Sequence, residues 1–155
     1  MHRILIVDDH RLVRRGLTAL IDNEPDLSVC CAAAATRRAA LAAIASSRPD
    51  LVIVDLSLGD DDGLALLKDI RALHGNLPVL VLTVHAAPVH ARQAFRAGAD
   101  GFVTKQEMGE TVLLAIRSVL EGEKYMSAEI RAMLARIGDF PMEKSGRRPD
   151  AQGGR

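Results

Sequence analysis

Only two of the 155 residues are cysteine, and they are neighbours, Cys30 and Cys31. Adjacent strand residues point to opposite faces, so the pair suits neither a disulfide framework nor a thiolate metal site, and a reducing cytoplasm is the expected compartment. No apolar run exceeds strand length, far below the roughly 20 residues of a membrane-spanning helix. The amino terminus has no signal-peptide layout. Charge of one sign is lacking as well: 20 Lys and Arg balance 20 Asp and Glu, so no global field draws the chain to nucleic acid or to a membrane. The length fits one ordinary domain with a tail.

What the sequence does contain is two short apolar runs, each ending in carboxylate. Ile4-Leu5-Ile6-Val7 runs into Asp8-Asp9, and Leu51-Val52-Ile53-Val54 runs into Asp55. Short, unbroken, β-branched runs read as strands buried on both faces of a parallel sheet. The carboxyl edge of such a sheet is where open α/β folds bind ligands. Three carboxylates gathered there raise one another's pKa unless a cation holds them together. An oxygen-only donor set suits a hard ion such as Mg²⁺.

The rest of the chain alternates regularly. A helix is expected over Arg11 to Asp22, with Leu12, Leu17, Leu20 and Ile21 on one side. A second strand follows over Leu27 to Ala33. Thr36 caps a helix to Ser46 with Ala40, Leu41 and Ile44 inward. After the third strand, Leu51 to Val54, comes a helix from Leu64 to Leu73 with Leu64, Leu67 and Ile70 at helical spacing. A strand over Val79 to Val84 follows, then a helix from Pro88 to Ala97 stopped by Gly98. A strand over Gly101 to Thr104 and a helix from Glu107 to Leu120, closed by Gly122, complete the series. The expected fold is a doubly wound α/β sandwich of five βα units, flavodoxin-like, with parallel strands in order 2-1-3-4-5. The domain is expected to occupy residues 1–122. A linker with a short helix follows over 123–137, and a tail rich in Gly, Pro and charge, expected to be disordered, over 138–155.

These residues resemble the receiver domains of bacterial two-component response regulators. The resemblance covers residues 3 to about 122. It rests on Ile4 to His10, Asp50 to Leu56, Asp62-Gly63, Thr83, and Gly98-Ala99-Asp100-Gly101-Phe102-Val103-Thr104-Lys105. Each of the acidic pair, the lone aspartate, the threonine and the lysine ends its own strand, in this order. Asp9 to Leu17 and Glu121 to Ser127 are similar to the LuxR/NarL-type branch. The resemblance implies that Asp55 accepts a phosphoryl group from a sensor histidine kinase. Asp9 then ligates Mg²⁺ directly, Asp8 acts mainly through water, and Ser57 offers its backbone carbonyl. Lys105 and Thr83 contact the phosphoryl oxygens, and Thr83 with Phe102 form the switch that alters the face around the fourth helix, fifth strand and fifth helix. Symmetric homodimers are a further implication. The branch usually carries a carboxyl-terminal helix-turn-helix, for which the residues after Ile137 are too few. Two outputs stay open: transcriptional control in a longer parent, and receiver-only signalling. No specific DNA binding by these 155 residues is expected.

Other readings exist for each residue. Asp8 and Asp9 can cap the first helix, Asp55 can be a turn residue, Thr83 an ordinary strand residue, Phe102 plain core and Lys105 a surface lysine. His85 and His90 straddle a helix start and are too few for zinc. Asp60-Asp61-Asp62 suits a solvated helix start. A haloacid-dehalogenase-type phosphohydrolase also uses strand-end aspartates, but it wants a second aspartate where Ser57 stands. A vestigial interaction module conflicts with the complete acidic set. Gly59, Val84 and Gln106 depart from the family pattern, which more often has proline, a small residue and proline there. The reading is therefore a signalling switch, not an enzyme turning over a metabolite, with at most slow autodephosphorylation.

Overall fold

A computed structural model describes residues 1–59, 61–84, 88–107, 109–136 and 138, without the side chains of 31–33 and 61. Five strands form the main sheet: β1 (His2–Val7), β2 (Leu27–Ala34), β3 (Leu51–Val54), β4 (Val79–Thr83) and β5 (Gly101–Thr104). They pair in parallel in the order β2-β1-β3-β4-β5, as the alternation predicts. The helices are α1 (Arg11–Asp22), α2 (Arg37–Ser47), α3 (Gly63–Leu73), α4 (Pro88–Arg96), α5 (Glu110–Leu120) and α6 (Ala128–Arg136). A two-residue hairpin pairs Ser57 and Leu58 with Asp62 and Asp61.

The strand runs are apolar throughout because each alternate residue meets a different helical layer. Ile4, Ile6, Leu51, Ile53, Leu80, Leu82 and Val103 pack with Leu17 and Ile21 of α1 and with Val112, Ile116 and Val119 of α5. Leu5, Val7, Val52, Val54, Val79, Val81 and Phe102 face α2, α3 and α4 through Ala40, Ile44, Leu66, Leu67, Ile70, Ala91 and Ala94. Thr36 Oγ1 accepts from the Ala39 N–H at 3.1 Å and caps α2 as expected.

Four local expectations change. Leu12 is 80% exposed; it lies five residues before Leu17, about 140° away around the helix, and half-buried Val13 packs on that side instead. β4 ends at Thr83, and Val84 turns into solvent at 60% exposure, so it lines no buried wall. The last helix of the repeat begins at Glu110, not Glu107. Residues Lys105–Glu107 form a 3₁₀ turn, in which Glu107 Oε1 accepts from the Thr104 N–H at 3.0 Å and faces its Oγ1 at 3.2 Å. Gly109 then enters α5 at φ +111°. Finally, the packed body continues beyond Gly122. Tyr125 bridges to Gly101, accepting from the Phe102 N–H at 3.0 Å and donating to Asp100 O at 2.9 Å. It leads into α6, whose Ile130 and Leu134 are buried in the Phe102 cluster. The side chains of Cys31 and Asp61, together with Asp60, His85, Ile137 and residues 139–155 of the tail expected over 138–155, lie outside the described residues.

Candidate functional site

Strand register builds the site. Val7, Val54, Val81 and Phe102 are matched across four adjacent strands. One residue further, Asp8 and Asp55 therefore leave β1 and β3 side by side at the carboxyl edge. Asp9 and Thr83 follow one residue later, and Lys105 comes after β5. The Asp55 N–H donates to Val7 O at 3.0 Å and the Asp8 N–H to Ala34 O at 3.1 Å, so both backbones are still held by the sheet. Asp8 and Asp55 are buried at 2% and 1% exposure, an arrangement carboxylates accept only with partners.

Lys105 supplies the charge. Its Nζ lies 2.9 Å from Asp8 Oδ2 and 2.9 Å from Asp55 Oδ2. Burial pulls the Lys105 ammonium down, but hydrogen bonds and charge from Asp8 and Asp55 outweigh it and raise its pKa above the ordinary value. Asp55 Oδ1 accepts from the Ser57 N–H at 3.0 Å, so both oxygens of Asp55 are positioned. Oxygens of Asp8, Asp9 and Asp55 lie within 4.8 Å of one another, together with a ring nitrogen of His10. Three carboxylates against one ammonium leave excess negative charge, which is the condition a divalent cation relieves.

Two glycines allow this approach. A Cβ on Gly63 would fall 2.2 Å from Asp55 O and 2.6 Å from Leu56 Cα, both backbone atoms. Gly59 has φ +57°, which proline with φ near −65° cannot adopt, so the family's proline has no place in this loop conformation.

The switch candidates share one face. Thr83 pairs with Thr104, two residues beyond the Val81–Phe102 pair, so Thr83 and Phe102 point the same way from adjacent strands. Both are buried. Helix capping does not explain the acidic pair: the α1 N-cap is His10, with no side-chain cap bond. Asp62 does serve a helix start, accepting from the Leu64 N–H at 3.0 Å.

One member was missed by sequence reasoning. The acidic site is not oxygen-only, because His10 Nδ1 stands 3.0 Å from Asp8 Oδ1 and 3.2 Å from Asp9 Oδ1. The available signal was its place straight after Asp8-Asp9, where the Asp8 carboxylate accepts the His10 N–H at 2.8 Å and turns the ring back. The charges on α4 and α5 are not uniformly exposed. Arg92 and Arg117 are half-buried while Arg96 and Glu110 are exposed; Arg117 reaches back to Glu24 at 2.9 Å and Asp26 at 2.8 Å.

The model of the response regulator receiver domain family matches residues 4–131. A methanol utilization control regulatory protein of Paracoccus denitrificans, MoxX, is 33% identical over 86% of this chain and 60% of its own length. The transcriptional regulatory protein UhpA of Salmonella typhimurium is 34% identical over 93% of this chain and 71% of its own. The crystal structure of a LuxR-family two-component response regulator from Aurantimonas superposes with TM-score 0.83 at 35% identity, covering 89% of this chain and 98% of that one. The chain thus spans about 60 to 71% of the length of these curated relatives. No helix among the described residues is long and apolar enough to cross a membrane. With its five-stranded sheet, its strand-end carboxylates and these relatives, the chain belongs to the receiver-domain family of two-component response regulators, in the LuxR/NarL-type branch.

Proposed function

We propose that Asp55 is the phosphoacceptor and that Mg²⁺ is the cation of the acidic site. The observation that carries this reading is Lys105 bridging two buried strand-end aspartates, with Asp9 beside them. A carboxylate oxygen of Asp55 forms the new bond to phosphorus as the bond to the donor, a kinase phosphohistidine or acetyl phosphate, breaks. A histidine leaving group takes its proton from solvent, whereas acetate leaves as the anion. Mg²⁺, when bound, neutralises charge shared by the carboxylates and the phosphoryl oxygens. Asp8, Asp9, Asp55 and the Ser57 carbonyl are the residues that would hold it, and the donor chemistry fits a hard ion. Lys105 pairs with an equatorial phosphoryl oxygen after transfer, and Thr83 donates its hydroxyl to another.

Thr83 and Phe102 then move together, because they share one face of adjacent strands, and this biases the α4–β5–α5 surface between two arrangements. The chain acts as a switch, not a turnover enzyme. A phosphohydrolase reading lacks its second carboxylate, since Ser57 stands there and its N–H already positions Asp55. A sensor histidine kinase as partner and a cytoplasmic location belong to the same proposal.

The direct test is labelling by acetyl phosphate. Wild-type protein labels in Mg²⁺ and not after chelation, and Asp9→Ala loses the Mg²⁺-dependent label. Normal labelling of Asp9→Ala rules out the metal assignment. Phosphorylation is also expected to change self-association, since symmetric contacts are the commonest route to dimers. Sedimentation with and without beryllofluoride checks this, and identical masses count against it. The 155-residue chain is expected to bind promoter fragments without sequence preference or not at all, for its charges balance and the helices among the described residues all belong to the receiver fold and its α6 extension, which leaves few phosphate contacts and no base readout. Saturable, sequence-dependent gel shifts at physiological salt contradict that.

A further inference from the structure

His10 is the member of the acidic cluster to which phosphoryl transfer gives no task. Its side chain is 57% exposed, yet Nδ1 points inward. That nitrogen lies 3.0 Å from Asp8 Oδ1, 3.2 Å from Asp9 Oδ1 and 3.8 Å from Asp55 Oδ2, and 3.3 Å from Lys105 Nζ. In a first-row divalent shell each donor stands about 2.0–2.2 Å from the ion, so neighbouring donors are about 3 Å apart and opposite ones about 4.2 Å. The His10 separations fall in that window. Lys105 occupies the Oδ2 atoms of Asp8 and Asp55, which leaves Asp8 Oδ1 and Asp9 Oδ1 facing the imidazole.

Carboxylate oxygens serve hard and borderline ions alike, whereas an imidazole nitrogen favours zinc, nickel or copper over magnesium. We propose that His10 Nδ1 is an inner ligand for a borderline divalent ion of the Zn²⁺ or Ni²⁺ class, which competes with Mg²⁺ for the acidic site. As a ligand the neutral ring would carry its proton on Nε2 and present the Nδ1 lone pair to the ion. The inference rests on the cation reading above and adds to it a nitrogen donor and a selectivity. A ring that only hydrogen-bonds Asp8 confers no such selectivity.

Mn²⁺ seated in the site, read through the electron paramagnetic resonance of the free ion, is a probe confined to these carboxylates. It is titrated off the untagged chain with Mg²⁺ and, separately, with Ni²⁺. In the wild type Ni²⁺ displaces Mn²⁺ at far lower concentration than Mg²⁺ does. His10→Ala and His10→Gln should each shrink that advantage by about tenfold or more, the scale on which losing a group that supports a metal site acts, while the Mg²⁺ curve stays in place. The proposal is overturned if both variants keep the Ni²⁺ advantage, or if Mg²⁺ and Ni²⁺ weaken equally. Mn²⁺ that remains free with wild-type protein overturns the metal reading itself, a result distinct from either.

Discussion

Asp55→Asn is expected to abolish covalent phosphorylation while leaving the fold intact. The substitution keeps the shape of a side chain that is buried to 1% exposure, and the amide oxygen can still accept the Ser57 N–H now held at 3.0 Å. What disappears is the anionic oxygen that attacks phosphorus. An amide oxygen is a poor nucleophile toward phosphorus, and no neighbour replaces it by geometry: Asp8 is occupied by Lys105 at 2.9 Å and by the His10 N–H at 2.8 Å. Intact-mass measurement after acetyl phosphate treatment should find one phosphoryl group on wild type and none on the variant, at similar melting midpoints. An equal load on Asp55→Asn transfers the acceptor role to another carboxylate.

Asp100→Ala is expected to do the opposite, with a large loss of stability and the chemistry retained below the transition. Asp100 is buried. Its Oδ2 accepts from the Val79 N–H at 2.9 Å and pairs with an Arg71 guanidinium nitrogen at 3.2 Å. Arg71 also donates to Gly75 O, Leu77 O and Gly98 O at 2.7, 2.9 and 2.6 Å. Burial pulls the Arg71 pKa down to about 10, which still leaves it charged at neutral pH, so removing Asp100 takes the carboxylate from a largely buried guanidinium and the acceptor from the Val79 N–H together. Breaking such a pair costs about 3 to 5 kcal/mol, which in a chain of this size lowers the melting midpoint by roughly 10 °C. Differential scanning calorimetry reads it directly. A drop of only about 2 °C, the size expected for under 1 kcal/mol, means the three carbonyls alone hold Arg71.

The sheet was legible because β1, β3 and β4 are short apolar runs, largely β-branched, with a polar or proline boundary, and these boundaries fall in register across the sheet. That same register brings Asp8, Asp55 and Lys105 together, so the acidic site could be read from residues at strand ends. Other features have no local signal. The Arg71–Asp100 pair spans 29 residues and follows no helical or strand period. His10 joins the site through a turn closed by Asp8, which no hydrophobic pattern encodes. Glu107 looks like a helix start, but its carboxylate turns back to Thr104 and delays α5 to Glu110. The burial of α6 depends on Tyr125 pairing with β5, a bridge of one residue that periodicity cannot anticipate.

On the proposed reading, one carboxylate at the end of β3 receives the phosphoryl group in a metal-dependent step. Borohydride reduction of protein treated with acetyl phosphate and Mg²⁺ converts an aspartyl phosphate to homoserine, and peptide mass spectrometry locates it. Homoserine is expected at position 55 alone, absent when Mg²⁺ is chelated. Homoserine at Asp8, Asp9 or within residues 60–62, or labelling that persists without a divalent ion, contradicts it.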